Sequence, residues 1–262
     1  MKKKISGLLL ALVLAITFTT NVVGGTVNTW FYIPTPPMPE PVFELVPEPE
    51  VPVIRPDIDP SRPMVALTFD DGPSKHTARI LDLLEKHGGR ATFFVVGNLV
   101  EPRRDTIERA HELGFEILGH SWDHSDLTKL SADAIKKQLL STADIIEDIT
   151  GVRPHSFRPP YGAVNDTVKK VSRDLGFGII NWSVDTLDWK HRNADYIYNV
   201  IMKDARDRTI ILNHDLYVTT ADAMERVIPE LISRGYQLVT ISELLYFSNM
   251  EIEPGKVIYR GN

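Results

Sequence analysis

A chain of 262 residues that is 43% hydrophobic and 24% charged is long enough to bury a core and is not the composition of a disordered polymer. Its formal charge of -6 at pH 7 argues against nucleic acid as a partner, because phosphate binding needs a basic face. The absence of cysteine excludes a disulfide scaffold, a thiolate metal site and a cysteine nucleophile, so any metal must rest on His, Asp or Glu.

In chain order, Lys2, Lys3 and Lys4 precede an apolar run from Leu8 to Phe18, the pattern of an export signal. Residues 1–25 are therefore expected to be a signal peptide or an N-terminal anchor, and the protein to be exported, either secreted or associated with the cell envelope. Ile5 to Val23 approaches the length that spans a bilayer, but Thr19, Thr20 and Asn21 weaken its second half, which favours cleavage over membrane attachment. Residues 26–63 read as a Pro-rich linker, since 34–63 alone hold 11 of the 18 prolines. Proline removes backbone donors and favours extended chain, so a solvated spacer is expected there.

From Met64 the pattern changes to alternating strands and helices. Met64–Phe69 predicts a buried strand, and Thr77–His87 a helix ended by Gly88 and Gly89. Ala91–Val96 is a second strand, Asp105–Leu113 a helix and Phe115–Leu118 a third strand. Ser131–Thr150 is a long helix with Ser131 as its N-cap and Gly151 at its end. A weak strand near Ser156 follows, then a helix near Asn165–Leu175 and a strand over Gly178–Trp182. The last units are a helix near Asn193–Ala205, strand Thr209–Leu212, helix Ala221–Ser233 and strand Gln237–Thr240. This alternation predicts an α/β fold with a parallel sheet of about seven strands, closed as a barrel or open, with a domain over 64–247 and a polar tail over 248–262. In either architecture, reactive groups belong just past the carboxyl ends of the strands.

Five polar clusters sit where strands end. They are Asp70-Asp71-Gly72-Pro73, His120-Ser121-Trp122-Asp123-His124, Arg158-Pro159-Pro160-Tyr161-Gly162, Asp185-Thr186-Leu187-Asp188-Trp189 and His214-Asp215. Two imidazoles and one carboxylate make a three-ligand site with open positions, and Asp71, His120 and His124 can supply it. Adjacent carboxylates in a dry site need a cation nearby; with Asp71 on the metal, Asp70 stays free as a base. An Asp-Asp-Gly-Pro turn or a His-x-x-x-His pair is weak alone, and the conjunction of both in strand-end loops carries the reading. Zinc is the first expectation for the divalent ion, with cobalt, nickel or manganese also fitting.

Taken in order from Thr68 to His214, the five clusters resemble the motifs of the polysaccharide deacetylase family, whose shared unit is the NodB-like homology domain. The resemblance implies a distorted, incomplete (β/α) barrel and metal-dependent removal of acetyl groups from sugars. Carried over by position, Asp70 resembles the general base, and Asp71, His120 and His124 the metal triad. Arg158 resembles the residue that orients the base, and Tyr161 the backbone donor of an oxyanion hole. Asp188 resembles the partner of the catalytic His214, and Trp189 and Leu212 resemble walls of the acetyl pocket. Asn213 departs from the pattern, being polar where the family often has an apolar residue. With the export pattern, the resemblance implies a monomeric N-deacetylase of N-acetylglucosamine in peptidoglycan. Chitin oligomers, an exopolysaccharide and acetylated xylan are alternative substrates, and a non-catalytic wall-binding protein is the alternative of another class. Trp122 is expected either to stack on a sugar or to support the histidine loop, and Arg90 to be structural.

Overall fold

The computed structural model describes residues 54–262, so the expected signal or anchor and the linker as far as residue 53 lie outside the described residues. In chain order the elements are β1 (Met64–Gly72), α1 (Thr77–Lys86), β2 (Thr92–Val95), α2 (Gly97–Val100), α3 (Arg104–Glu112), β3 (Glu116–Gly119) and α4 (Ala132–Thr150). They continue with β4 (Ser156–Phe157), α5 (Asp166–Asp174), β5 (Gly178–Ile180), β6 (Val184–Asp185), α6 (Asp188–His191) and α7 (Ala194–Asp204). The last are β7 (Thr209–His214), α8 (Val218–Ser233), β8 (Gln237–Leu238), α9 (Ile241–Phe247) and β9 (Val257–Ile258). All strand pairs are parallel, in the order β6-β7-β1-β2-β3-β4-β5-β9, with β8 on the start of β1. The path has two ends, as the expected incomplete barrel requires. Four of the nine strands of the sheet, β4, β6, β8 and β9, are two-residue pieces too short to show a sequence period.

Strand alternation sorts the side chains into two layers. On β1, Val65, Leu67 and Phe69 pack outward with Ile80, Leu84 and Val227 of the helices. Met64 and Ala66 face inward, with Phe94, Leu118, Ile180 and Ile210 from neighbouring strands. The same inward rows, continued to the carboxyl ends, arrive at Asp70 after Thr68, at His120 after Leu118 and at His214 after Leu212. Four strands thus deliver their polar termini, Arg158 of β4 included, to one mouth of the barrel.

The long helix runs as its caps predict. The Ser131 hydroxyl accepts from the Ala134 N–H, and Gly151 closes the other end at φ 73°. α8 begins at Val218, a turn earlier than expected: the Tyr217 carbonyl accepts from the Thr220 and Ala221 N–H groups and the Thr220 hydroxyl donates to Asp188, with no side-chain cap.

Two boundaries differ from expectation. Residues 54–63, read as spacer, lie against the domain: Ile58 joins the interior cluster, and Arg55 holds the buried Glu243 with Nε–Oε1 2.8 Å and Nη2–Oε2 3.0 Å. The polar tail contributes β9, which pairs with β5 through Ile179–Val257 and Ile180–Ile258. Both segments lack periodicity; the first is held by Ile58 and hydrogen bonds, the second by Met250, Ile252, Val257 and Ile258 and by strand pairing, contacts that only the folded domain offers. No helix among the described residues is long and apolar enough to cross a membrane.

Candidate active site

The Asp70-Asp71 pair shows how one strand end presents two adjacent carboxylates. Neighbouring residues of a strand point to opposite faces, so both cannot enter the mouth from a regular strand. The register between β1 and β2 shifts between Asp70 and Gly72, and Asp71 takes a left-handed φ of 68°. That bulge turns Asp71 back toward the mouth. Gly72 is required beside it, because a Cβ there would run into the Asp215 carboxylate.

Asp71 Oδ1 lies 3.0 Å from His124 Nε2 and 3.3 Å from His120 Nε2. One ligand atom from each of the three residues fits within 4.8 Å of the others. His120 Nδ1 lies 2.7 Å from the Arg158 carbonyl oxygen, a contact only an N–H can make, so Nε2 carries the lone pair that faces Asp71. A lone pair facing a buried carboxylate oxygen with no hydrogen-bond partner is an arrangement a cation resolves. The donor set therefore fits a divalent metal, as two imidazoles and a carboxylate with open positions do.

Arg158 is fully buried, which a guanidinium tolerates only when paired and saturated with hydrogen bonds. Its Nη1 donates to Asp70 Oδ1 and to Thr68 Oγ1, each at 2.7 Å. Nε donates to the Ile180 carbonyl at 3.1 Å and Nη2 to that of Asn181 at 3.0 Å, while the plane lies 4.0 Å over the Phe94 ring. Asp70 is thereby fixed with its second oxygen 3.7 Å from His120 Nε2, beside the three residues able to hold a metal.

Across the mouth, His214 Nδ1 lies 2.7 Å from Asp188 Oδ1. Asp188 is fully buried and accepts three further hydrogen bonds, from the His214 N–H, the Trp189 N–H and the Thr220 hydroxyl. Burial works against a charged imidazole, yet the hydrogen bond and charge of Asp188, aided by Asp70 and Asp71, raise the His214 pKa to about 9. Asp70 and His214 face each other in register as partners on neighbouring strands.

The remaining expected residues occupy the rim. Tyr161 is 69% exposed, sits at φ 62° and meets the His124 ring edge-on at 4.8 Å between centroids. Its N–H makes no hydrogen bond among the described residues. Trp189 is half exposed on α6, one residue from Asp188, and Leu212 lies buried two residues before His214. Trp122 supports its loop, for its ring covers Gly97 so closely that a Cβ there would stand 2.6 Å from it. Asn213 is buried and donates from Nδ2 to the Thr68 carbonyl at 3.3 Å, so its polarity serves the β1–β7 seam. Arg90 stays away from the mouth, bonded to the Gly89 carbonyl and set over Phe115.

Three contributors escape sequence reasoning. Thr68 and Thr220 hold Arg158 and Asp188 by their hydroxyls, and Asp215 is buried behind the Asp70-Asp71 loop with its carboxylate on the Thr77 hydroxyl. A lone Thr carries no signal of such a task, although Asp215 stands beside His214 in the same cluster. Backbone strain marks the site as well. Six of the eight non-glycine residues with positive φ among the described residues, Asp71, Ser121, His124, Tyr161, Leu187 and Arg192, belong to its loops.

The chain is similar to known proteins in both sequence and fold. A sequence model of the family described as polysaccharide deacetylase matches residues 57–180. The peptidoglycan-N-acetylglucosamine deacetylase PgdA of Listeria monocytogenes is 44% identical over 197 residues, which are 75% of this chain and 41% of that protein. The peptidoglycan-N-acetylmuramic acid deacetylase PdaC of Bacillus subtilis is 45% identical over 188 residues, 71% of this chain and 40% of that protein. This chain thus spans about two fifths of the length of those two relatives. A solved structure of PdaC from Bacillus subtilis superposes with a TM-score of 0.71 at 44% identity, covering 73% of this chain and 94% of that one. A family 4 acetyl xylan esterase from Clostridium thermocellum, solved with a cobalt ion, gives a TM-score of 0.71 at 35% identity over 76% of this chain and 98% of that one.

Proposed function

The chain belongs to the polysaccharide deacetylase family, and on that premise we propose that it is a metal-dependent hydrolase that removes N-acetyl groups from N-acetylglucosamine in peptidoglycan, releasing acetate. The single observation that carries the reading is the juxtaposition of two opposed proton-transfer groups, Asp70 held by Arg158 and His214 held by Asp188, across the Asp71-His120-His124 cluster.

A divalent ion on Asp71, His120 and His124, zinc foremost, supplies Lewis acidity toward the acetyl carbonyl and a water. Asp70 accepts the water proton as the oxygen attacks the carbonyl carbon. Arg158 keeps the Asp70 carboxylate in one orientation and its charge compensated. The Tyr161 N–H donates to the substrate oxygen as negative charge builds on it. His214, protonated below about pH 9, gives its proton to the departing nitrogen. Trp189 and Leu212 wall the acetyl methyl and exclude water. Amide cleavage needs that last proton more than ester cleavage does, because an amine anion is a poor leaving group. A proton donor held by Asp188 meets that need of an N-acetyl substrate. The export pattern of residues 1–25 and the names of the relatives support a wall polymer outside the membrane as the target.

The test is acetate release from a panel of acetylated glycans, namely peptidoglycan strands, chitin oligomers and acetylated xylan, with the metal-loaded protein. Release from peptidoglycan at the highest kcat/KM is expected. Turnover of xylan alone would move the assignment to an O-esterase, and no release from any substrate would leave a wall-binding protein.

A further inference from the structure

The rim carries a cation that none of these steps uses. The end of α6 and the residue after it are Lys190, His191 and Arg192, three consecutive exposed basic residues in an acidic chain. A solvated charge run would leave such side chains loose, but Arg192 is fixed on two sides. Its Nε donates to the Trp189 carbonyl at 2.7 Å, and its guanidinium lies 3.3 Å over the Tyr217 ring. Tyr217 in turn stands 6.0 Å from the His214 ring, centroid to centroid. The backbone of Arg192 is held left-handed at φ 48°, ψ 43°, which an L-residue with a Cβ adopts at a cost. Neither Nη has a carboxylate or carbonyl partner among the described residues. The result is a pre-positioned guanidinium fork one aromatic ring away from His214, with its hydrogen-bonding edge unfilled.

A neutral acetylated glycan offers such a group only hydroxyls and amide carbonyls, neutral acceptors that each take one contact. A planar fork with unspent donors matches a carboxylate in two-point geometry, and fixing it beforehand lowers the entropy lost on binding. Resting on the peptidoglycan reading above, we propose that Arg192 is a specificity-determining residue that binds a carboxylate of the glycan and selects anionic wall strands over neutral acetylated polymers. The two sugars named in the relatives differ in this group: muramic acid is glucosamine with a lactyl carboxylic acid on its ring. The carboxylate is supplied either by that lactyl group, free where a strand carries no peptide, or by an acidic residue of a stem peptide.

Four substrates separate these sources. They are a neutral chitin tetramer, a peptide-free alternating wall tetrasaccharide, the same tetrasaccharide with its carboxyls converted to methylamides, and the tetrasaccharide bearing stem peptides. Kinetics are measured for the full chain and for R192Q and R192K, two variants that share the cost of the left-handed backbone and differ in charge. With R192Q, KM on carboxylate-bearing strands should rise roughly tenfold with kcat nearly unchanged, the size expected for one charge-assisted contact. R192K should recover part of the loss. KM on the chitin tetramer and on the methylamide should not move. A loss confined to the stem-bearing strand assigns the carboxylate to the peptide, and a loss on the peptide-free strand assigns it to the lactyl group. Equal losses on all four substrates, or none, would overturn the proposal. Calorimetric binding of the tetrasaccharide and its methylamide, in a D70N background that stops turnover, decides the matter independently of catalysis. A carboxylate preference that R192Q abolishes upholds the role of Arg192 even if no substrate releases acetate and the deacetylase reading fails; equal binding of both ligands overturns it.

Discussion

His214 keeps its proton because Asp188 is buried beside it with every oxygen engaged. With its pKa raised to about 9, the proposed acid is present at neutral pH and is lost as pH rises through that value, so activity should fall on the alkaline side near pH 9. Asp188→Asn removes the charge that holds the proton, and the alkaline limb should move toward the ordinary value near 6.5. The rate loss should be larger on an N-acetyl sugar than on an activated acetate ester, whose leaving group needs no proton. An unmoved limb with equal losses on both would remove His214 from the role of acid. Asp215 makes the opposite kind of contribution. Burial pushes its carboxyl up to about 7, so the folded state favours the protonated form. That stability is complete below the ordinary carboxylate pKa of 3.8 and disappears as pH rises through about 7. Asp215→Asn keeps the shape without the charge. It should raise stability at pH 8 by something of the order of 2 kcal/mol and leave it nearly unchanged at pH 4. Denaturant melts of the two proteins at both pH values check this, and a gap independent of pH would contradict it.

Among the elements, the segment before β1 shows how little apolar surface is needed to fix a strand entry. Ile58 fills the interior cluster, and the Arg55–Glu243 pair ties the chain to the start of α9. Glu243 is 2% exposed, and breaking a buried pair by removing one partner leaves an uncompensated charge. A protein starting at residue 54 should melt like the full chain. One starting at residue 61 should lose about 2–4 kcal/mol, with Arg55→Ala accounting for much of it. Equal melting temperatures for both truncations would make residues 54–60 a bystander. Glu243 also closes a capping box with Thr240, each side chain bonded to the other's backbone N–H. That Thr-x-x-Glu spacing stands in the sequence as a helix start, yet α9 is only seven residues long and merges with the strand pattern before it. Where a helix is long and capped at both ends, as α4 is, the period decides it. α2 and α6, of four residues each, have no period to detect.

For the molecule as a whole, the inward rows of a parallel barrel explain why five separated clusters meet. Once they meet, the cluster of Asp71, His120 and His124 carries more negative and lone-pair character than a half-buried site holds without a cation. Chelation should therefore abolish deacetylation, and added divalent metal should restore it. Asp71→Ala should bind less than a tenth of the metal of the unaltered protein by elemental analysis. Full activity in metal-free protein would refute the assignment.

The sequence by itself determined the parallel α/β architecture, the five strand-end clusters and the residues able to ligate a metal. Those depend on local period, on turn residues and on side-chain chemistry, all of which are written along the chain. Tertiary structure decided what depends on registry between distant segments. The bulge that turns Asp71 beside Asp70 needs β2 as its reference. The hydroxyls of Thr68 and Thr220 acquire their tasks only when Arg158 and Asp188 are buried against them. The packing of residues 54–63 and 257–258 likewise exists only once a domain is present to receive them. Arg192 is one of several arginines in the sequence; only the stacking of Tyr217, brought beside it from the turn between β7 and α8, turns it into a fixed charge at the rim.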